Sequence, residues 1–469
     1  RYPEIKALYE SRFGEWLAQK GLPSKDPNAS PEFAVFLIEL QNKANEKMAA
    51  YLRSIGVRAL LTGANHWDLM ATTAIRNRFD YVDTHGYWDH PNFGKGVSTY
   101  NQASHVSNLG LSMRIRMPSR ILGKPFLYTE YNHCPPNQFR AEAGPLMGGI
   151  FALQDWDGVY RFDYASLSNR ALNPDAMGGK AGAFGIAGDP IGLLTERMIA
   201  IFFGRGDVSP AKTMIAYGVS EASLHSTNAL RYYGAGSYPD AFTMLGLHSR
   251  IGSVYVPESG KMSVPKDSFL MSPEKLSPSG MAGRSFGTTE DLIAALPGGK
   301  AVLIDERRLG SDTGEIWMDG NKGLMKVMTP KSEALVLAAG KKLTGKFLEA
   351  EGESFSVVFV AAVDGLALKD SRRLLLIHLT DVLNTGMTFA DAAHRNLEKW
   401  GDLPHLVRAG KSRLRIGVAT PSEWKAWAVD LSGKRLYETV FESGVDGIRF
   451  MANTADAKGS VLAYELRRP

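Results

Sequence analysis

Several features that define other protein classes are missing from the chain. It has a single cysteine, Cys134, so an intrachain disulfide is excluded. No run approaches the ~18 apolar residues of a membrane-spanning helix. No block of roughly five like charges marks a nucleic-acid-binding tail. No HExxH or comparable ligand spacing predicts a metal site. The sequence therefore predicts neither a membrane protein nor a nucleic-acid-binding protein, and it predicts no metal and no cofactor.

What is present is typical of a large folded protein. The 469 residues are 44% hydrophobic and 10% aromatic, with a net charge of +5 spread along the chain. This length exceeds one ordinary core, so two or three domains are expected. The chain opens at Arg1 instead of a methionine. We therefore expect a further segment, and any export signal, upstream of that residue.

The first part of the chain alternates helical and strand patterns. Apolar spacing predicts helices over residues 5–20, 30–54, 69–78, 138–153 and 191–203. Short apolar runs between them predict strands over residues 57–62, 79–84, 125–130 and 158–163. Strands that alternate with helices in this way are typical of a parallel sheet with helical crossovers.

Beyond this region the pattern changes twice, which predicts three domains: residues 1–205, 206–299 and 300–469. The middle region mixes short strands with Gly, Ser and Pro, with a helix near 238–247. The last region repeats short β-rich runs separated by turns, which predicts an antiparallel β-sandwich. These runs are AVLID, GEIWM, ALVLAA, SVVFVAAV, RLLLIHL, RLRIGVA and VLAYEL.

Polar and aromatic residues collect at the predicted strand ends, where a parallel α/β barrel carries its active site. Aromatic faces stack on sugar rings, and amides, imidazoles and guanidinium groups bind hydroxyls, so we predict a carbohydrate site. Its predicted substrate-binding residues are Asn65, His66, Trp67, Trp88, Tyr131, Asn132, Trp156 and Arg161. The alternative for the tryptophans is packing in the core, and for the histidine a structural hydrogen bond.

Glu130 is the predicted catalytic residue. It follows the apolar run Pro-Phe-Leu-Tyr-Thr, which places a carboxylate at a strand end. A buried carboxylate there would need partners to stay ionised, and Tyr87, His85 or Arg161 could supply them. The alternative is a glutamate that only pairs with an arginine at the rim.

These motifs, in this order, resemble the clan A glycoside hydrolases, retaining enzymes on the (β/α)8 TIM barrel. In that clan the nucleophile ends the seventh strand, which Pro125-Phe126-Leu127-Tyr128-Thr129-Glu130-Tyr131 resembles. A His-x-Tyr element often ends the sixth strand, with a tyrosine that hydrogen-bonds the nucleophile, as His85-Gly86-Tyr87 would. The resemblance covers roughly residues 1–205. It implies that this chain carries strands 5–8, beginning with residues 57–62.

One part of the clan pattern is missing. The acid/base glutamate of the clan belongs to an Asn-Glu pair ending the fourth strand, and Asn45-Glu46 lies within a predicted helix instead. We therefore expect the acid/base upstream of Arg1, on an N-terminal half-barrel fragment or segment that acts as a partner, because four strands cannot close this barrel. No oligomeric state is predicted.

The resemblance implies a retaining hydrolase that cleaves β-glycosidic bonds of an oligo- or polysaccharide, with catalytic residues Glu130, Tyr87 and His85. Such a protein is expected to be secreted, periplasmic or on a bacterial cell surface. The alternative is a non-catalytic carbohydrate-binding or scaffold protein on a degenerate barrel. A phosphate-site barrel lyase is disfavoured by the aromatic strand ends and the missing phosphate loop.

Overall fold

The computed structural model of the chain describes residues 2–65, 68–94, 96–165, 179–225, 238–256, 264–274, 283–297 and 307–469. It is a mixed α and β protein containing several sheets, and no closed barrel is detected among these residues. The predicted TIM barrel is therefore not shown. The chain begins with a pair of helices, and a three-stranded parallel sheet follows them.

The helical segments follow the apolar spacing of the sequence. Phe13, Trp16 and Leu17 lie on one face of the first helix and are buried against Phe36 of the second. These two helices confirm the predictions for 5–20 and 30–54. The α-helices, numbered α1 to α9, are Pro3–Gln19, Glu32–Ser54, Thr72–Arg76, Leu111–Arg114, Ala143–Leu153, Pro190–Ile199, Glu221–Leu224, Asp240–Met244 and Thr289–Ala295. A π-helical turn, Ala200–Gly204, extends α6.

Two parallel sheets follow the helical pair. Strands β1 (Val82–Trp88), β4 (Phe126–His133) and β5 (Gly158–Arg161) form the first, in the order β1-β4-β5. The second is outside the predicted barrel region and has the order β7-β6-β8-β9. Its strands β6 to β9 are Met214–Ser220, Arg250–Val256, Phe269–Met271 and Ser285–Phe286.

The strand predicted over residues 57–62 is wrong. This segment is an irregular chain beside β1, and Leu60 is 66% exposed. Its backbone is held by Asp80 instead of a strand ladder: the Asp80 N–H donates to the Leu61 carbonyl at 3.0 Å, and the Asp80 carboxylate accepts from the Leu61 N–H at 2.8 Å. Because the Leu61 N–H donates to a side-chain carboxylate, it cannot also donate to the carbonyl of a neighbouring strand.

The last region contains two antiparallel sheets, as the β-rich runs predict. The nine-stranded sheet has the order β10-β11-β12-β13-β16-β17-β29-β23-β24, and the five-stranded sheet β14-β15-β22-β26-β25. Strands β10 to β17 are Arg308–Gly310, Ile316–Asp319, Leu324–Met328, Ser332–Leu337, Lys341–Thr344, Leu348–Gly352, Ser356–Ala362 and Arg373–Leu379. Strands β22 to β29 are Lys411–Ile416, Lys425–Val429, Arg435–Thr439, Glu442–Gly444, Gly447–Asn453, Ala455–Asp456, Gly459–Ser460 and Ala463–Arg467. The AVLID run lies outside the described residues.

The central strands of the nine-stranded sheet are buried on both faces. This burial explains why the sequence of β16 is an unbroken apolar run. Val358 and Val360 face a core shared with the five-stranded sheet. Val357 and Phe359 face the helical part of the chain, where Phe359 meets Phe202 with ring centroids 5.3 Å apart. One sheet therefore closes two cores, because successive side chains of a strand point to opposite faces.

Residues 382–407 form an arm that leaves the nine-stranded sheet between β17 and β22. Its strands are β18 (Val382–Thr385), β19 (Thr388–Phe389), β20 (Asn396–Lys399) and β21 (Asp402–Val407), with β18 paired to β21. The other two join β2 (Asn92–Phe93) and β3 (Ser98–Thr99) in a four-stranded sheet of order β19-β20-β3-β2. The arm thereby reaches the loop that follows β1.

A buried ionic cluster fixes the base of the arm. The Arg140 guanidinium donates to the Asp189 carboxylate in two bonds of 3.1 Å, to Asp381 at 2.5 Å and to the Val382 carbonyl at 2.6 Å. The side chains of Arg140, Asp189 and Asp381 are each 2% exposed. Burial alone would lower the pKa of Arg140, but the two carboxylates raise it above its ordinary value. Asp189 also caps α6 through the Ile191 N–H.

Candidate active site

A bulge in β4 determines where the Glu130 side chain points. Strands β1 and β4 pair Thr84 with Tyr128, and the register then resumes at His85 with Glu130, so Thr129 is the extra residue. The Thr129 hydroxyl donates to the buried Asp83 carboxylate at 2.9 Å, which holds the bulge. Since a bulge re-aims the side chain that follows it, Glu130 lies directly beside His85.

Glu130 has two partners from the end of β1. The Tyr87 hydroxyl donates to Oε2 of Glu130, and His85 Nδ1 lies 3.4 Å from Oε1. Burial, then the hydrogen bond to Glu130 and its charge, raise the pKa of Tyr87 far above its ordinary value, so the phenol stays protonated and donates. The Glu130 side chain remains 34% exposed. The carboxylate is therefore held from one side and accessible from the other.

The structure leaves room only for a glycine at position 86. A Cβ at this position would lie 2.5 Å from the Tyr128 hydroxyl and 2.7 Å from Nε of Arg116. The Arg116 guanidinium donates to the His85 carbonyl at 2.7 Å and so fixes the backbone between the two partners of Glu130. The His-Gly-Tyr sequence thus has a packing reason in this fold.

Aromatic rings surround the exposed side of Tyr87. We call Tyr87, His90, Phe93, Phe162 and Phe184 the aromatic cluster. Tyr87 lies 5.2 Å from His90, 5.6 Å from Phe184 and 6.1 Å from Phe162, between ring centroids. Phe93 is 58% exposed and Phe162 37% exposed. Exposed ring faces beside a carboxylate are what carbohydrate binding needs.

Phe93, Phe162 and Phe184 are not among the site residues predicted from the sequence. Phe162 directly follows β5, so its position after a strand end was an available signal. Phe93 and Phe184 lie in long connecting segments, and only the tertiary structure brings their rings to 6.2 Å from each other.

Three predicted substrate-binding residues form a buried network instead. Arg161 donates to Asn132 Oδ1 at 3.1 Å and pairs with Glu196 at 2.9 Å, so it is not the predicted partner of Glu130. Tyr131, 2% exposed, donates to Glu196, and its pKa is raised first by burial and then by that carboxylate. The Asn132 amide donates to the Phe162 and Phe184 carbonyls at 2.6 and 2.7 Å. These three residues position the segments that carry the aromatic cluster, which corrects the prediction of direct contact.

The predicted tryptophan platforms are also corrected. Trp156 is 3% exposed and stacks on Tyr128 at 5.1 Å, so it belongs to the core. Trp88 is 7% exposed, stacks on His105 at 4.3 Å and donates to the Ala103 carbonyl at 2.8 Å. A buried indole offers no face to a sugar. Of the residues predicted after 57–62, Asn65 is exposed, and His66 and Trp67 lie outside the described residues.

A buried pair of histidines, His105 and His133, supports the loop that follows β1. His105 accepts from the Ser112 N–H at its Nε2, so its Nδ1 carries the proton and donates to His133 Nε2 at 2.9 Å. Burial, and then Arg161, lower the pKa of His133 to about 3, and burial, then His133, lowers that of His105. Both rings are therefore neutral at physiological pH and structural.

Glu142 is a second unusual carboxyl group. It accepts from the Ser104 hydroxyl at 2.6 Å and from the Val106 N–H at 2.9 Å. Burial raises its pKa to about 7, although these hydrogen bonds oppose the shift. Glu142 thus holds the loop that follows β1.

Three observations bear on other chemistries. Burial raises the pKa of the Cys134 thiol well above its ordinary value, which leaves it unreactive. Within the described ranges, no group of three or more His, Cys, Asp or Glu side chains is placed to hold a metal ion. No helix in the described part of the chain has the length and apolar character to cross a membrane.

Comparison with known proteins gives no relative. No protein-family model matches the chain. Neither a curated protein nor a solved structure matches it. A proposal of function can therefore draw only on the geometry around Glu130 and on the sequence motifs around it.

Proposed function

We propose that the chain carries the nucleophile of a retaining glycoside hydrolase, and that this nucleophile is Glu130. The observation that supports this most is the carboxylate at the C-terminal end of a parallel strand, held by Tyr87 and His85 of the adjacent strand and left open to solvent on one side. A nucleophilic carboxylate needs a fixed orientation and access to the anomeric carbon. The arrangement is compatible with both.

The proposed reaction is a double displacement. An oxygen of Glu130 attacks the anomeric carbon, the glycosidic C–O bond breaks, and the leaving oxygen takes a proton from an acid/base carboxyl group. Water deprotonated by that same group then attacks the anomeric carbon and releases Glu130. Retaining enzymes place the two carboxyl groups about 5–5.5 Å apart. The resemblance to clan A assigns the acid/base to an earlier strand of the barrel.

A complete barrel is part of this proposal, and it would add strands at the β1 edge. Exposed apolar side chains on the adjoining helix and segment support such a contact: Met48, Tyr51, Ile55 and Leu60 are each 59–66% exposed. A groove of about 710 Å³ between α1, α2 and α3 is lined by Leu37, Ile38 and Ile75 among others. Exposed apolar surface of this kind is typical of an interface. We propose the N-terminal half-barrel as its occupant.

The test uses reagents that need no acid. 2,4-Dinitrophenyl 2-deoxy-2-fluoro-β-glycosides of glucose, galactose and mannose configuration carry a leaving group that departs unprotonated, so the first step requires the nucleophile alone. We expect an ester on Glu130, located by peptide mass spectrometry, and none in Glu130→Gln. The control Glu196→Gln removes a carboxylate of the neighbouring network and should keep the label. A label on any other residue would refute the assignment.

Carbohydrate binding without catalysis is the second candidate. It is favoured by two other carboxylates around β1 that are already occupied by hydrogen bonds within the protein. Asp83 accepts from the Thr62 and Thr129 hydroxyls, and Asp68 accepts from Thr84, Ser119 and Arg76. Both are committed to structure. Oligosaccharide binding by calorimetry, with no covalent label from any reagent, would favour this candidate.

A further inference from the structure

The β-rich part of the chain reaches the candidate active site through the arm, residues 382–407. Strand β20 pairs with β3, with Asn396 opposite Thr99 and Leu397 opposite Ser98. The Gln102 amide donates to the His394 carbonyl at 2.9 Å, and the Tyr100 N–H donates to the Arg395 carbonyl at 2.8 Å. The loop after β1 is therefore held as part of a sheet whose other strands belong to the arm.

This sheet fixes the position of Phe93. Phe93 pairs with Ser98, Ser98 with Leu397, and Leu397 with Phe389, so the four side chains share one face of the sheet. Leu397 is 3% exposed, whereas Phe93 is 58% exposed. The buried Leu397 anchors β20 beside β3, and the Phe93 ring at the end of the row stays accessible.

Phe93 is connected to Glu130 through the aromatic cluster. Its ring lies 6.2 Å from Phe184 and 6.1 Å from His90. Both of these rings contact Tyr87, whose hydroxyl donates to Glu130. The opposite face of the sheet carries a polar row, in which the Thr99 hydroxyl donates to Asn396 Oδ1 at 3.2 Å. An accessible ring thus lies beyond the rings that surround the nucleophile's partner.

We propose that Phe93 is the platform of a second sugar-binding subsite, and that the arm positions it. This inference rests on the proposed function, since the first subsite is the one at Glu130. A saccharide whose reacting ring lies over Glu130 would extend its next ring along the aromatic cluster onto Phe93. The ligand is then at least a disaccharide, and the β-rich part contributes to the choice of substrate length.

The chemistry of the ring supports this role. Sugar rings present C–H groups on one face, and these pack on an aromatic face while the hydroxyls bind polar groups at the edge. A phenylalanine held by a strand loses little conformational freedom when a ligand binds, so the contact is not offset by ordering of a flexible side chain. Phe93 therefore suits recognition of a ring that does not react.

The experiment compares labelling by the 2-fluoro monosaccharide reagents with labelling by their β-1,4-extended disaccharides. We expect Phe93→Ala to lower the second-order labelling rate of the disaccharides by about three- to tenfold, from the usual strength of aromatic stacking. The monosaccharide rates should stay unchanged, because their single ring does not reach Phe93. Phe93→Trp should keep the disaccharide rates. Leu436→Ala, which removes an exposed apolar side chain of β24, should change neither.

The outcomes separate this inference from the function on which it rests. If Glu130 is labelled and Phe93→Ala leaves the disaccharide rates unchanged, or lowers both classes equally, the subsite is refuted and the nucleophile stands. If none of the reagents labels Glu130, both proposals are overturned. A selective loss for the disaccharides, retained in Phe93→Trp, supports the subsite.

Discussion

Replacing Asp381 by alanine perturbs the cluster at the base of the arm. Asp381 accepts from Arg140 at 2.5 Å and from the Val382 N–H at 2.8 Å. Its side chain and that of Arg140 are each 2% exposed. The substitution therefore removes one of two carboxylates from a buried guanidinium and leaves a buried amide without its acceptor. It creates no compensating contact.

The expected loss of stability is worked from these contacts. Removing one partner of a buried ion pair costs about 3–5 kcal/mol. Arg140 keeps both bonds to Asp189, which reduces the cost, and the unpaired Val382 N–H adds about 1 kcal/mol. We expect a net loss of about 3 kcal/mol. Arg408, at 3.3 Å from Asp381 and 41% exposed, adds little.

The assay is thermal unfolding followed by circular dichroism, with limited proteolysis as the second measurement. We expect Asp381→Ala to lower Tm by several degrees and to speed cleavage within residues 382–407. The matched control is Asp446→Ala, which removes an ion pair with Arg449 whose partners are each 48% exposed and should cost less than about 1 kcal/mol. If the two variants lose equal stability, the buried cluster does not anchor the arm and the reasoning fails.

Three further predictions follow from the loop and strand that surround Glu130. Tyr87→Phe removes the donor to Glu130 and should slow labelling by the 2-fluoro reagents by about 10- to 100-fold, since hydrogen bonds to charged groups contribute about 1.5–3 kcal/mol; an unchanged rate would remove Tyr87 from the site. Gly86→Ala drives a Cβ to 2.7 Å from Arg116 and should lower the unfolding free energy by about 1–3 kcal/mol in urea titration; a neutral effect would contradict the packing described. Glu142→Gln should flatten the dependence of stability on pH. The folded pKa of about 7 lies above the ordinary 4.5, so the contribution of Glu142 to stability is present in full below about pH 4.5 and is lost as pH rises through 7, by roughly 3 kcal/mol. Parallel pH profiles of variant and wild type would contradict this.

Local patterns predicted the elements well where burial follows a regular pattern. The helices α1 and α2 follow from apolar spacing, and β16 from an unbroken apolar run. The segment 57–62 has a run of the same kind but forms no strand, because its amide is bound by the Asp80 carboxylate 19 residues away. The spacing of apolar residues does not indicate which acceptor a backbone N–H will bind.

The candidate site shows the same division. Glu130 and Tyr87 were predicted, and the structure brings them into contact, since both lie at ends of adjacent parallel strands. Trp156 was predicted as a platform and is core, because a tryptophan next to a strand gives the same sequence pattern whether its ring packs inward or outward. Phe93 was missed. Its position depends on the pairing of Thr99 with Asn396, 297 residues apart, and no local pattern encodes such a contact.

The nine-stranded sheet limits how the gene for this protein can recombine with other genes. Because β16 contributes alternate side chains to two cores, a gene cut near residue 300 would divide one of them and leave an exposed apolar face on each product. The β-rich region is therefore not a transferable module that recombination can attach to an unrelated protein. It has to evolve together with the strands that carry Glu130, and substitutions on either face of β16 constrain both.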